Sequence, residues 1–142
     1  MLSRKADNQD WVNSVPYFTE AITKSPICLM QDIDLQSVLA HLMAAATRGG
    51  AYVINEKYLV VYDFYPLWYS PTSLTVHEQL VLCIDPAAKG TMFDVVRFLV
   101  EEKVRLNAKH LLIGDLLVAD QRKYGRVLQK LGMKPVNTLY AS

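Results

Sequence analysis

The stretch from Leu74 to Lys103, LTVHEQLVLCIDPAAKGTMFDVVRFLVEEK, constrains this chain more than any other. Its strand-like first part becomes apolar on both faces by Leu80-Val81-Leu82-Cys83-Ile84, the pattern of a strand inside a sheet rather than at its edge. Pro86 and Gly90 interrupt it, and from about Gly90 to Asn107 the apolar positions recur at helical spacing. An interior strand that feeds an amphipathic helix requires helices layered on a sheet, an α/β domain. The junction raises a functional question as well. The start of a helix offers backbone N–H groups to anions, so Pro86-Ala87-Ala88-Lys89-Gly90-Thr91 is either a phosphate cradle or only a tight connection.

The flanking pattern fills in the order. The segment MLSRKAD reads as a short first strand. Trp11, Val15, Phe18 and Ile22 mark a helical stripe, and Pro16, which cannot donate inside a helix, predicts two short helices there. Leu35, Val38, Leu39, Leu42, Met43 and Ala46 mark the next helix, with Asp32 or Asp34 as its cap and Gly49-Gly50 as its end. AYVINEKYLVVYDFYPLWY reads as two strands joined at Asn55-Glu56-Lys57, and YSPTS as a loop. In the helix after Gly90, Asp94, Arg97, Glu101 and Arg105 form a solvated ladder of charge. HLLIGDLLV is a short strand, Asp120 caps a last helix with Tyr124, Val127, Leu128 and Leu131 on one face, Gly132 and Pro135 stop it, and VNTLYA is a final strand. The expected order is β-α-α-β-β-β-α-β-α-β, one domain over residues 1–142 with a mixed sheet flanked by helices.

Charge and composition exclude several classes. With 15 basic against 14 acidic residues among 142, the chain lacks the excess of a dedicated nucleic-acid binder. No apolar run approaches the roughly 20 residues of a membrane span, and no apolar segment follows the basic start as in a secretory signal. Cys28 and Cys83 sit among apolar neighbours and read as buried hydrophobes. A cytoplasmic protein is expected. His41, His77 and His110 share no metal-ligand spacing, so no metal site is expected.

The element order, the Pro-containing turn after LVLCID, and the ending QKLGMKPVNTLYAS together resemble the GNAT acyltransferase superfamily, including short GNAT-like proteins encoded by bacteriophages. The resemblance implies an N-acetyltransferase that moves an acetyl group from acetyl-CoA to a primary amine, with Ala87, Ala88, Lys89, Gly90, Thr91 and Met92 as the pyrophosphate cradle. It implies a backbone N–H near Cys83 or Ile84 for the oxyanion, Glu78 as a base acting through water, and a tyrosine acid, for which Tyr124 lies one helical turn before the expected site and Tyr140 stands in the last strand. The departures are specific: Ala87 replaces the family's Gln or Arg, Met92 a small residue, and Gln121 and Leu128 the usual Asn and Tyr. They leave open a binding protein of the same fold without catalysis, a virion component or a modulator of a host protein.

Each candidate has a plainer reading. Glu78 is otherwise a solvated carboxylate, with His77 a rival base on the opposite face of the strand. Tyr124 fits the apolar stripe of its helix as a core residue. Tyr62, Phe64, Tyr65, Trp68 and Tyr69 crowd one segment and are strand aromatics, a substrate wall, or a surface for a protein partner or a second copy of the chain.

Overall fold

The computed structural model describes residues 1–24, 33–114 and 121–136. Nine elements follow in order: β1 (Ser3–Lys5), α1 (Asn8–Lys24), α2 (Leu35–Arg48), β2 (Gly50–Ile54), β3 (Tyr58–Leu67), β4 (Ser70–Cys83), α3 (Met92–Arg105), β5 (His110–Leu112) and α4 (Gln121–Lys130). The strands form one sheet in the order β1-β2-β3-β4-β5, antiparallel throughout except for the parallel β4–β5 pair that α3 connects. This is the expected mixed sheet, with β4 in its interior. The expected Cys28, the Asp32 and Asp120 caps, the later part of HLLIGDLLV and Tyr140 with its final strand lie outside the described residues.

The period-2 alternation of the strands supplies two cores. Val53, Leu59, Val61, Leu80 and Leu82 point to one face and bury Phe18 of α1 with Leu42 and Ala45 of α2. Ile54, Val60, Tyr62 and Val76 point to the other and bury Val95, Phe98 and Leu99 of α3. Since Leu59 to Tyr62 are fully buried on alternating faces, each side chain removes about 1.5–3 kcal/mol of apolar exposure from water, and a one-residue slip would exchange the two cores.

Several expectations need correction. The chain makes one helix from Asn8 to Lys24 with Pro16 inside it. Val12, Val15 and Pro16 lie on its exposed side, where water can satisfy the carbonyl that Pro16 cannot bond; Val15 is therefore not a core position. YSPTS is not a loop: only Trp68 and Tyr69 turn between Leu67 and Ser70, and the rest of the segment belongs to β4. Pro71 is tolerated because it lies at the start of the strand, beyond the part that β5 pairs. Asp94 is not part of a solvated ladder, because its carboxylate turns back onto the N-terminus of α3. Cys83 is half-buried rather than a core residue. Leu35 and Met43, expected on the apolar face of α2, are exposed, and Leu42 and Ala45 are its buried residues. Asp34 caps α2 through the Gln36 N–H, and Gly49 ends it, as expected. Gly132, at φ +87°, follows α4.

Among the described residues no helix is long and apolar enough to cross a membrane, and no cluster of His, Cys, Asp or Glu could hold a metal ion.

Candidate active site

The loop between β4 and α3 is fixed mainly by the chain's own polar groups. The Ile84 N–H donates to the Lys57 carbonyl at 2.7 Å, and Lys57 Nζ reaches the Gly90 carbonyl at 3.1 Å. Asp85 accepts the Ala87 N–H on its carboxylate at 3.1 Å and the Ala88 N–H on its carbonyl at 3.2 Å. Asp94 Oδ2 accepts the Thr91 N–H at 3.1 Å and the Asn55 side-chain N–H at 2.9 Å. Gly90, at φ +134°, lies so close to Asn55 that a Cβ would sit 2.6 Å from Asn55 Nδ2, which explains the glycine by both conformation and space. Three of the cradle N–H groups are thus occupied. Among the described residues those of Lys89, Gly90, Met92 and Phe93 make no hydrogen bond.

Beside this loop a cleft of about 380 Å³ opens at the end of β4. Val81, Leu82 and Cys83 form its floor. Tyr17, Glu20, Ala21 and Lys24 come from α1, Met92 from α3, Tyr124 from α4, with Tyr58 and Pro86 closing the rest. Met92 packs against the core under α3 and so forms a wall of this cleft. The Tyr58 hydroxyl is pushed up from its ordinary pKa by burial and by the neighbouring Cys83 and Asp94. The lining is largely hydrocarbon with a few polar tips, suited to a long flexible chain ending in a polar group.

Backbone direction distinguishes Cys83 from Ile84. Tyr58 faces Cys83 across the antiparallel pair, and the Ile84 N–H bonds the Lys57 carbonyl. In such a ladder the N–H groups alternate sides, so that of Cys83 points away from β3. Ile84 has no N–H to offer an oxyanion; Cys83 has.

Glu78 marks the place where β4 and β5 part. Their pairing ends at His77 and Leu112. Across β4 on the other side, Tyr62 opposes Glu78 and Val61 opposes Leu80, so Gln79 is the extra residue of a β-bulge. The Glu78 carboxylate accepts the Gly114 N–H at 3.0 Å, taking the place of a backbone acceptor. His77, on the opposite face as expected, has its Nδ1 2.6 Å from the Tyr65 hydroxyl. Burial holds the His77 imidazole below its usual pKa, and Asp63 only partly offsets this.

The structure therefore brings Cys83, Met92 and Tyr124 to one cleft, places Ala87 to Thr91 beside it, and leaves Glu78 further up β4. Tyr124 is buried, as the packing reading expects, and also lines the cleft. The aromatic segment divides. Tyr62 is fully buried and donates to Glu102 at 2.7 Å, Tyr65 meets His77, and only Trp68 and Tyr69 stand out, at 89% and 63% exposure. Four α1 residues of the cleft carried no sequence signal, since their pattern is that of an ordinary amphipathic helix. The turn of Asp94 onto the Thr91 N–H did have a signal, the Thr-x-x-Asp spacing of a capping box.

No family model matches the chain, and no curated protein matches it in sequence. Solved structures do. A Trypanosoma brucei acetyltransferase is similar with a TM-score of 0.64 at 14% identity, over 99% of this chain and 97% of that one. A predicted acetyltransferase from Clostridium acetobutylicum, solved with acetyl-CoA, is similar at 0.65 and 15%, over 99% and 94%. Glucosamine-6-phosphate N-acetyltransferase from Arabidopsis thaliana follows at 0.63 and 10%, over 99% and 96%. The chain has an acetyltransferase fold of the GNAT type.

Proposed function

We propose that this protein is an N-acetyltransferase, taking the acetyl group of acetyl-CoA to a primary amine. The cleft at the end of β4 carries the reading: about 380 Å³ of mainly apolar space, joined to a helix N-terminus with open N–H groups. The residues present fit acetyl-CoA in its arm, along Val81, Cys83, Met92 and Tyr58, and in part of its pyrophosphate, at Lys89, Gly90, Met92 and Phe93. Bound there, it supplies an activated thioester to an attacking amine. Glu78 accepts the ammonium proton through a bridging water, the Cys83 N–H donates to the carbonyl oxygen as charge builds on it, and Tyr124 protonates the departing sulfur.

Calorimetric titration with acetyl-CoA, and with coenzyme A in parallel, tests this. Binding with a rise in melting temperature is expected, since a ligand that binds only the folded state stabilises it by mass action. Lys89→Glu, at an exposed loop position, should weaken it. No heat and no stabilisation at large ligand excess would overturn the reading.

A second reading has its own observation. Asp85 and Asp94 place negative charge in the loop that would meet the pyrophosphate and consume three of its N–H groups. A protein of this fold that binds a partner without catalysis, with Trp68 and Tyr69 as its exposed aromatic tip, accounts for both facts.

A further inference from the structure

The near-neutral total charge hides a strongly basic element. Residues 121–136 hold Arg122, Lys123, Arg126, Lys130 and Lys134 and no carboxylate, so the rest of the chain has ten cations against fourteen anions. At 3.6 residues per turn, Arg122, Lys123, Arg126 and Lys130 fall within about a 100° arc of α4. All four are exposed. Tyr124, Val127 and Leu128 occupy the opposite arc, with Tyr124 in the cleft. The basic arc therefore faces away from the cleft and from any anion held there. Among the described residues Arg122, Arg126 and Lys130 form no ion pair or hydrogen bond.

We propose that this face of α4 docks an acidic protein segment, one rich in Asp and Glu over two to three helical turns. Length and charge select that partner. Arg122, Arg126 and Lys130 recur every four residues along about 12 Å, a match for carboxylates at the same spacing on a facing helix or on a short extended segment. A nucleic acid would continue past the stripe onto an acid-rich body and be repelled there, and an anionic bilayer would meet the same surface over a wider area. The site is independent of acetyl-CoA, so its test does not share the fate of the acetyltransferase reading.

The probe is a fluorescein-labelled oligo-L-glutamate of about eight residues, chosen to match the stripe in length, read by anisotropy. Binding at low salt, weakening about tenfold or more toward 0.5 M salt, is expected. The triple variant Arg122→Gln, Arg126→Gln, Lys130→Gln should lose it, while Lys5→Gln, Arg97→Gln, Lys109→Gln, which removes the same charge from other exposed positions, should keep it. Equal melting temperatures of the two triples establish that both are folded. No binding of oligo-glutamate at low salt, equal loss in both triples, or tighter binding of a thymidine 20-mer or of phosphatidylserine vesicles would overturn the proposal.

Discussion

Glu78 accepts a hydrogen bond from the Gly114 N–H at 3.0 Å, and this contact stands where β4 and β5 separate. A side chain replaces the backbone partner that the ladder no longer supplies, next to the Gln79 bulge. The carboxylate is thus fixed by the opening of the sheet itself. Its substitution separates structure from chemistry: in Glu78→Gln the amide oxygen can still accept from Gly114, so melting temperature and acetyl-CoA affinity should change little. The rate of amine acetylation should fall by about 100-fold or more, read by thiol release. An unchanged rate in a variant that binds acetyl-CoA normally would remove Glu78 as the base.

Tyr62, Glu102 and Arg105 tie β3 to α3. Burial and the bond to Glu102 push the Tyr62 hydroxyl well above its ordinary pKa. Burial alone would raise the Glu102 carboxyl, but hydrogen bonds from Arg105 and Tyr62 outweigh it and hold it low. Tyr62→Phe should cost about 1–2 kcal/mol, and Glu102→Leu, which leaves Tyr62 buried without an acceptor, no less. Urea denaturation at neutral pH measures both; a neutral Tyr62→Phe would make the bond energetically irrelevant.

Arg4 bonds both oxygens of Asp10, at 2.7 and 2.8 Å. Those bonds, opposed by burial and aided by the Asp7 N–H, bring the Asp10 pKa down to about 2 from 3.8. A depressed carboxyl stabilises the fold above its unfolded pKa and loses that contribution as pH falls through its folded one. Asp10→Asn should therefore be less stable than the parent at pH 6, with the difference shrinking from about pH 4 toward pH 2. A constant difference across that window would place the effect elsewhere.

Two glycines should respond in opposite directions to alanine. A Cβ on Gly49 would lie 2.1 Å from the Tyr62 carbonyl oxygen, a backbone atom that cannot step aside. Gly49→Ala should destabilise by about 3 kcal/mol or more. Gly125, inside α4, has nothing within 4 Å of that position, so Gly125→Ala should stabilise by about 0.5–1 kcal/mol. Thermal melts of the two variants decide both.

By itself the sequence determined the layers and their order, because periodicity depends on which side chains avoid water and that is a local property of each segment. Leu80 to Cys83 read as an interior strand and do belong to β4, but β5 pairs only its earlier part and Ile84 lies past its end; Leu42 and Phe18 read as core and are buried. Pro16 misled because a missing N–H matters only if its would-be partner is buried, and exposure is decided by packing. Only the tertiary structure decided the site. It brought Tyr17 and Lys24 of α1 beside Cys83, Met92 and Tyr124, residues more than a hundred positions apart in the chain at the extreme. It also joined Asn55 to Asp94 and Glu78 to Gly114, 39 and 36 positions apart in the chain. Hydrogen bonds of this kind depend on distance and direction in space, which no residue pattern along the chain records.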